Sequence, residues 1–140
     1  MIYNRNMNEN LTELLWTLDS VPPEYRRWNA DIVGYHITPR ENVDNIKADG
    51  LKAKSCYHGY DRPQAVYLFL DRSVIPNNAA IVLGNNVDYT IIQVVIPAKE
   101  IAKLAFDGLY NASFRGAYSA VMYRDDIPAD WIKGIEYSHV

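Results

Sequence analysis

Residues 89–96 read Tyr-Thr-Ile-Ile-Gln-Val-Val-Ile, a near-continuous apolar stretch rich in β-branched side chains. Such side chains lose rotamer freedom in a helix and pack well on a pleated surface, so the stretch is a strand. Because it does not alternate between apolar and polar, it belongs inside a sheet with both faces covered. Its neighbours are read at 32–37, 65–70, 118–123 and 135–140, each β-branched or aromatic. Helical signals lie between them. Leu11, Leu14, Leu15 and Leu18 follow the i, i+3, i+4, i+7 rule behind Asn10 and Glu13, which form a capping-box-like start. A short helix begins at Pro23 and carries Arg26, Arg27 and Trp28. Thr38, Pro39 and Glu41 open a helix of about three turns, with Val43 and Ile46 facing inward and Gly50 just past its end. Asn77 or Asn78 caps a helix over 79–83 that Gly84 stops, Pro97 starts another over 98–105, and Asp126 and Pro128 open a last one near Trp131. Residues 52–64 and 106–117 read as loops. Strands and helices mix without βαβ regularity, so the fold class is α+β.

A chain of 140 residues sets a prior of one domain, here an N-terminal helical segment (1–31) packed on a core (32–140). With 49% hydrophobic and 22% charged residues, it is neither a disordered tail nor a fibre. A net charge of −3 argues against non-specific attachment to nucleic acid or anionic membrane. No signal-peptide core opens the chain, and no apolar run approaches the ~20 residues of a membrane span, so a cytoplasmic protein without membrane contact is expected. The single cysteine, Cys56, excludes an intramolecular disulfide. His36, His58 and His139 are dispersed, so no metal site is expected. There is neither a phosphate-binding P-loop nor a GxGxxG turn. The 11 tyrosines offer flat stacking surface with a polar tip, as in a site that grips rings.

Among candidate site residues, His36 stands near the end of a strand just before a helix, where a side chain meets a ligand on a rigid scaffold. Taken alone, it is better read as a partly buried imidazole bonded to a nearby carbonyl. The surrounding string adds to this. Tyr35-His36-Ile37-Thr38, followed by Asn42, Ile46 and Gly50-Leu51, resembles the first motif of the ADP-ribosyltransferase superfamily, closest to its bacterial and phage toxin branch. Val66-Tyr67-Leu68-Phe69 is similar to the second motif, and Ile127-Pro128-Ala129-Asp130-Trp131-Ile132 to the tail that closes these domains, so the resemblance spans roughly residues 32–135.

The resemblance implies a split mixed β-sheet with the N-terminal helix and short helices at its flanks, and NAD as substrate. It assigns His36 to a ribose hydroxyl of the adenosine half, backbone groups at Ile37 and Thr38 to the nicotinamide amide, and Tyr67 to stacking on the cationic nicotinamide ring. Arg40 and Arg62, near the expected cleft mouth, have forks that match phosphate, though solvated surface charges are the plainer reading. The third motif departs from the family. Its usual glutamate is absent from residues 116–123, and Ser119 stands at the matching position, able to bond a ribose hydroxyl but uncharged. Asp107, Asp125 and Asp126 are the nearest acidic substitutes. Lys52, Lys54 and Arg62, interleaved with Tyr57 and Tyr60, form a short basic-aromatic loop. The expectation is a mono-ADP-ribosyltransferase that modifies a protein or nucleic acid in a bacterial cell, as a toxin or in phage–host conflict. The alternatives are an inactive nucleotide- or protein-binding module on the same fold, or a relative of the RNA 2′-phosphotransferases.

Overall fold

The structure is a computed structural model that describes residues 20–54, 63–112 and 119–139. The helix expected at 11–18 lies outside these, as do Cys56, Tyr57, His58, Tyr60 and Arg62. The apolar run becomes β3 (Asp88–Ile96), paired on one side with β1 (Ile32–Pro39) and on the other with β6 (Ile132–His139). β2 (Val66–Phe69), β4 (Leu104–Phe106) and β5 (Ala120–Tyr123) complete a six-stranded sheet of order β4-β5-β2-β1-β3-β6. The interior position inferred for residues 89–96 is the one they occupy.

The α+β class holds, but the expected mixed sheet does not: all five strand pairings are antiparallel. The physical reason lies in one connection. β2 and β3 run in the same direction and are linked through the helix α2 (Ile75–Leu83), but β1 is inserted between them, so no parallel neighbours meet. The sheet is also nearly split. β4, β5 and β2 form one ladder, and β1, β3 and β6 form another; the two are joined at the single register pair Tyr35–Phe69.

Each face of the sheet carries its own core. On one face, Leu68, Val66, Val121, Tyr123, Ile92 and Val94 pack beneath Ile46 of the helix α1 (Val43–Asp49), Leu51, Ile127 and the half-buried Trp28 and Trp131. On the other, Ile37, Phe69, Tyr89 and Ile91 lie under Ile75 and Ala79 of α2 and under Tyr110 of α3 (Gly108–Ala112), whose ring meets Phe69 edge-on at 5.7 Å. Burial of each such side chain stabilises the fold by roughly 1.5–3 kcal/mol, so two independent clusters hold the halves together where the ladder does not.

Several local expectations shift. β1 runs on to Pro39, so Thr38 ends a strand instead of capping a helix; its hydroxyl accepts a bond from Asn42 Nδ2 at 3.0 Å. The turn at Arg40–Asn42 is 3₁₀, and α1 begins only at Val43. α2 starts earlier than expected, with Asn78 buried inside it and donating to the Val74 carbonyl at 2.7 Å. The helix expected over 98–105 is a 3₁₀ segment, Ala98–Lys103, followed by β4. The helix expected at Pro23 is a single 3₁₀ turn, Pro23–Tyr25. Arg26 behind it is buried, and its guanidinium donates to the carbonyls of Val21 and Leu104, so the segment before β1 is anchored to β4. The expected loop 106–117 contains α3, where the buried Asn111 side chain accepts from Ala120 N at 3.2 Å and donates to Ala120 O at 2.8 Å. That amide fills the place of a strand partner, which no local sequence signal announces. β6 starts at Ile132, three residues before the expected 135–140 strand. Among the described residues, no helix is long and apolar enough to cross a membrane.

Gly50 closes α1 with φ of +78°, and a Cβ there would lie 2.2 Å from the Ile127 carbonyl oxygen. Both the conformation and the space therefore demand glycine. Gly50→Ala is expected to cost about 2–4 kcal/mol in urea unfolding, whereas Gly108→Ala, whose Cβ would meet nothing within 4 Å, stays within about 0.5 kcal/mol of the parent.

Candidate functional site: a cleft at the split of the sheet

Beyond the Tyr35–Phe69 pair, β1 and β2 diverge, and the main-chain ladder between them lapses. A side chain takes its place. His36 Nδ1 donates to the Tyr67 carbonyl at 2.9 Å, tying the two halves of the sheet at the fork. The imidazole is half-buried. Its desolvation pushes the pKa below the ordinary 6.5; the carbonyl bond works in the opposite direction, and the Lys54 charge lowers it further. At neutral pH the ring is therefore uncharged, with its proton on Nδ1. Nε2 keeps its lone pair and has no protein partner among the described residues.

The fork opens into a cleft of about 260 Å³. His36 and Thr38 form one wall. A second comes from α1 and the turn before it, where Asn42, Asn45 and Asp49 recur at helical spacing and present polar groups to the same space. Segment 51–54 and residues 65–67 supply the third. Segment 51–54 is stitched at both ends: Leu51 and Ile127 exchange backbone bonds of 2.9 and 2.8 Å, and Lys54 and Ala65 exchange bonds of 3.0 and 3.1 Å. Two cations line the cleft, but Lys52 lies 3.8 Å from the Asp126 carboxylate, which also accepts from Ala53 N at 2.8 Å.

Of the residues singled out from sequence, His36, Thr38 and Tyr67 line this cleft, while Ile37, Arg40 and Ser119 do not. Ile37 points to the opposite face and is buried beneath α2. The Arg40 guanidinium lies 4.8 Å from the Tyr137 ring centre and 3.8 Å from the Asp88 carboxylate, itself bonded to His139 at 2.7 Å. Those partners at the far end of β3 and β6 hold it on the surface. Ser119 is buried beside Leu70, whose N–H donates to its carbonyl at 3.0 Å. That is the other end of β2, roughly 10 Å along the strand from Tyr67. Asp126 is engaged at the cleft edge by Lys52 and Ala53 N without lining the cleft, and the other two acidic substitutes are engaged elsewhere. Asp107 caps Tyr110 N at 3.2 Å, and Asp125 pairs with Lys103 at 3.0 Å. Asp49 is the carboxylate that lines the cleft among the described residues.

Tyr67 enters the site differently from the expectation. Tyr35 stands opposite Phe69, so strand alternation carries the Tyr67 ring to the Phe69 side of the sheet and the His36 ring to the side of Gly34 and Leu68. A Cβ on Gly34 would touch Leu68 at 3.1 Å, consistent with that shared face. The Tyr67 hydroxyl donates to the Pro63 carbonyl at 2.5 Å. What Tyr67 brings to the imidazole is its main-chain carbonyl, not its ring. The sequence reading missed Asn45 and this carbonyl; the 42, 45, 49 spacing was the available signal for the first, and nothing local marks the second. No family model matches this chain, and no curated protein matches it.

A depressed histidine pKa makes stability depend on pH. The contribution of neutral His36 is complete above the unfolded value of about 6.5 and is lost as pH falls through the lower folded value. The unfolding free energy of the parent relative to His36→Gln is therefore expected to shrink between pH 7 and pH 5 in urea titrations, by up to about 1.4 kcal/mol per unit of displacement. Parallel pH profiles for the two proteins contradict that.

Proposed function

We propose that this chain is an ADP-ribosyltransferase-like domain whose cleft holds NAD or ADP-ribose without cleaving it. The observation that carries the reading is the neutral His36 imidazole, which the Tyr67 carbonyl locks and whose Nε2 has no partner among the described residues and can accept from a ribose hydroxyl. The resemblance of Tyr35-His36-Ile37-Thr38 to the first family motif supports it, as does a sheet that splits at the cleft. A cleft of about 260 Å³ is below the range of pockets that enclose whole drug-sized ligands, so it suits one nucleoside, with the rest of the dinucleotide extending past the mouth. Holding is favoured over cleaving because bond scission at the nicotinamide ribose builds positive charge that a placed carboxylate stabilises. Ser119 lies outside the cleft, and the ring of Tyr67 leaves the sheet on the face opposite His36.

Mono-ADP-ribosyl transfer to a protein or nucleic acid is the second reading, favoured by the Asp49 carboxylate on the cleft wall. One experiment separates the two. The protein is incubated with adenine-labelled NAD and bacterial lysate while its melting temperature is followed with NAD and ADP-ribose. Both ligands are expected to raise the melting temperature, by an amount that grows with concentration and vanishes in His36→Ala, with no label transferred and no nicotinamide released. Label on a macromolecule establishes the second reading instead. Failure of both ligands to bind removes both.

A further inference from the structure

We propose that the Lys54 ammonium grips a phosphate of the nucleotide held in this cleft. The inference rests on the nucleotide-binding reading above and adds to it the group that recognises the anion.

The two lysines lining the cleft differ in what their charges already do. Lys52 is spoken for by Asp126 at 3.8 Å. The Lys54 side chain has neither hydrogen bond nor ion pair among the described residues, although its main chain is fixed by the reciprocal bonds to Ala65 at 3.0 and 3.1 Å. A pinned backbone with an exposed ammonium that is uncommitted among the described residues is well suited to phosphate, since a lysine acts as a mobile point charge and needs no fork geometry. The Lys54 charge also reaches the imidazole, adding to the fall in its pKa, so cation and ring sense the same space. The Asp49 carboxylate lies on the α1 wall, which leaves the wall shared by Lys54 and Ala65 as the favourable place for an anion. A ribose on Nε2 and a phosphate on Lys54 describe one nucleotide bridging from the fork to the mouth.

The test titrates parent, Lys54→Gln and Lys54→Glu with ADP-ribose and with adenosine by calorimetry, at low and high salt. Melting temperatures check that the variants fold, as an exposed side chain predicts. Lys54→Gln is expected to weaken ADP-ribose by about tenfold and Lys54→Glu by more, with adenosine within about twofold and the parent's salt dependence reduced. Unchanged ADP-ribose affinity in Lys54→Gln overturns the role of Lys54 while leaving the nucleotide cleft intact. Equal losses for adenosine and ADP-ribose also overturn it, since they mark a change of cleft shape. A parent that binds neither ligand removes this inference together with the reading beneath it.

Discussion

The bond from His36 Nδ1 to the Tyr67 carbonyl is the constraint on which the site depends. A sheet that gives up its ladder between β1 and β2 leaves backbone groups that must find other partners. One imidazole nitrogen satisfies the Tyr67 carbonyl, and in doing so fixes the tautomer and aim of the ring. The other nitrogen, without a partner among the described residues, is then available where the two halves of the sheet separate. Structure and candidate chemistry share a single side chain here, so a change at His36 acts on both.

The split is tolerated because the halves are held by their faces. Leu68 and Val66 from one ladder meet Ile92 and Val94 from the other in one cluster, and Phe69 meets Ile37 and Ile91 in the second. Apolar burial is non-directional, so it bridges a gap that directional ladder bonds cannot. The cleft walls depend on equally specific local features. Gly50 turns the chain where no Cβ fits, the Leu51–Ile127 exchange carries it across, and the Lys54–Ala65 exchange returns it to the sheet.

Much of this was legible residue by residue. The 89–96 run announced an interior strand, and His36 was placed at a strand end beside a helix; the plain expectation for it, a half-buried ring on a carbonyl, is the geometry found. What the sequence could not show were relations between distant segments. Which face Tyr67 presents depends on the register Tyr35–Phe69, and a shift of one residue would reverse it. The antiparallel sheet depends on β1 entering between β2 and β3, a choice made far from either strand. Arg40 looked free in sequence because Tyr137 and Asp88, which hold it, are brought near only by β3 and β6. Ser119 matched a motif by order, yet the β2–β5 register sets it at the wrong end of the strand.

Nitrogen-detected NMR of the His36 ring tests the central claim most directly. At pH 7 the neutral Nδ1–H tautomer is predicted, with the Nε2 resonance moving on addition of ADP-ribose while the Nδ1 proton stays bonded. A protonated ring, the Nε2–H tautomer, or an Nε2 resonance indifferent to ADP-ribose contradicts the account.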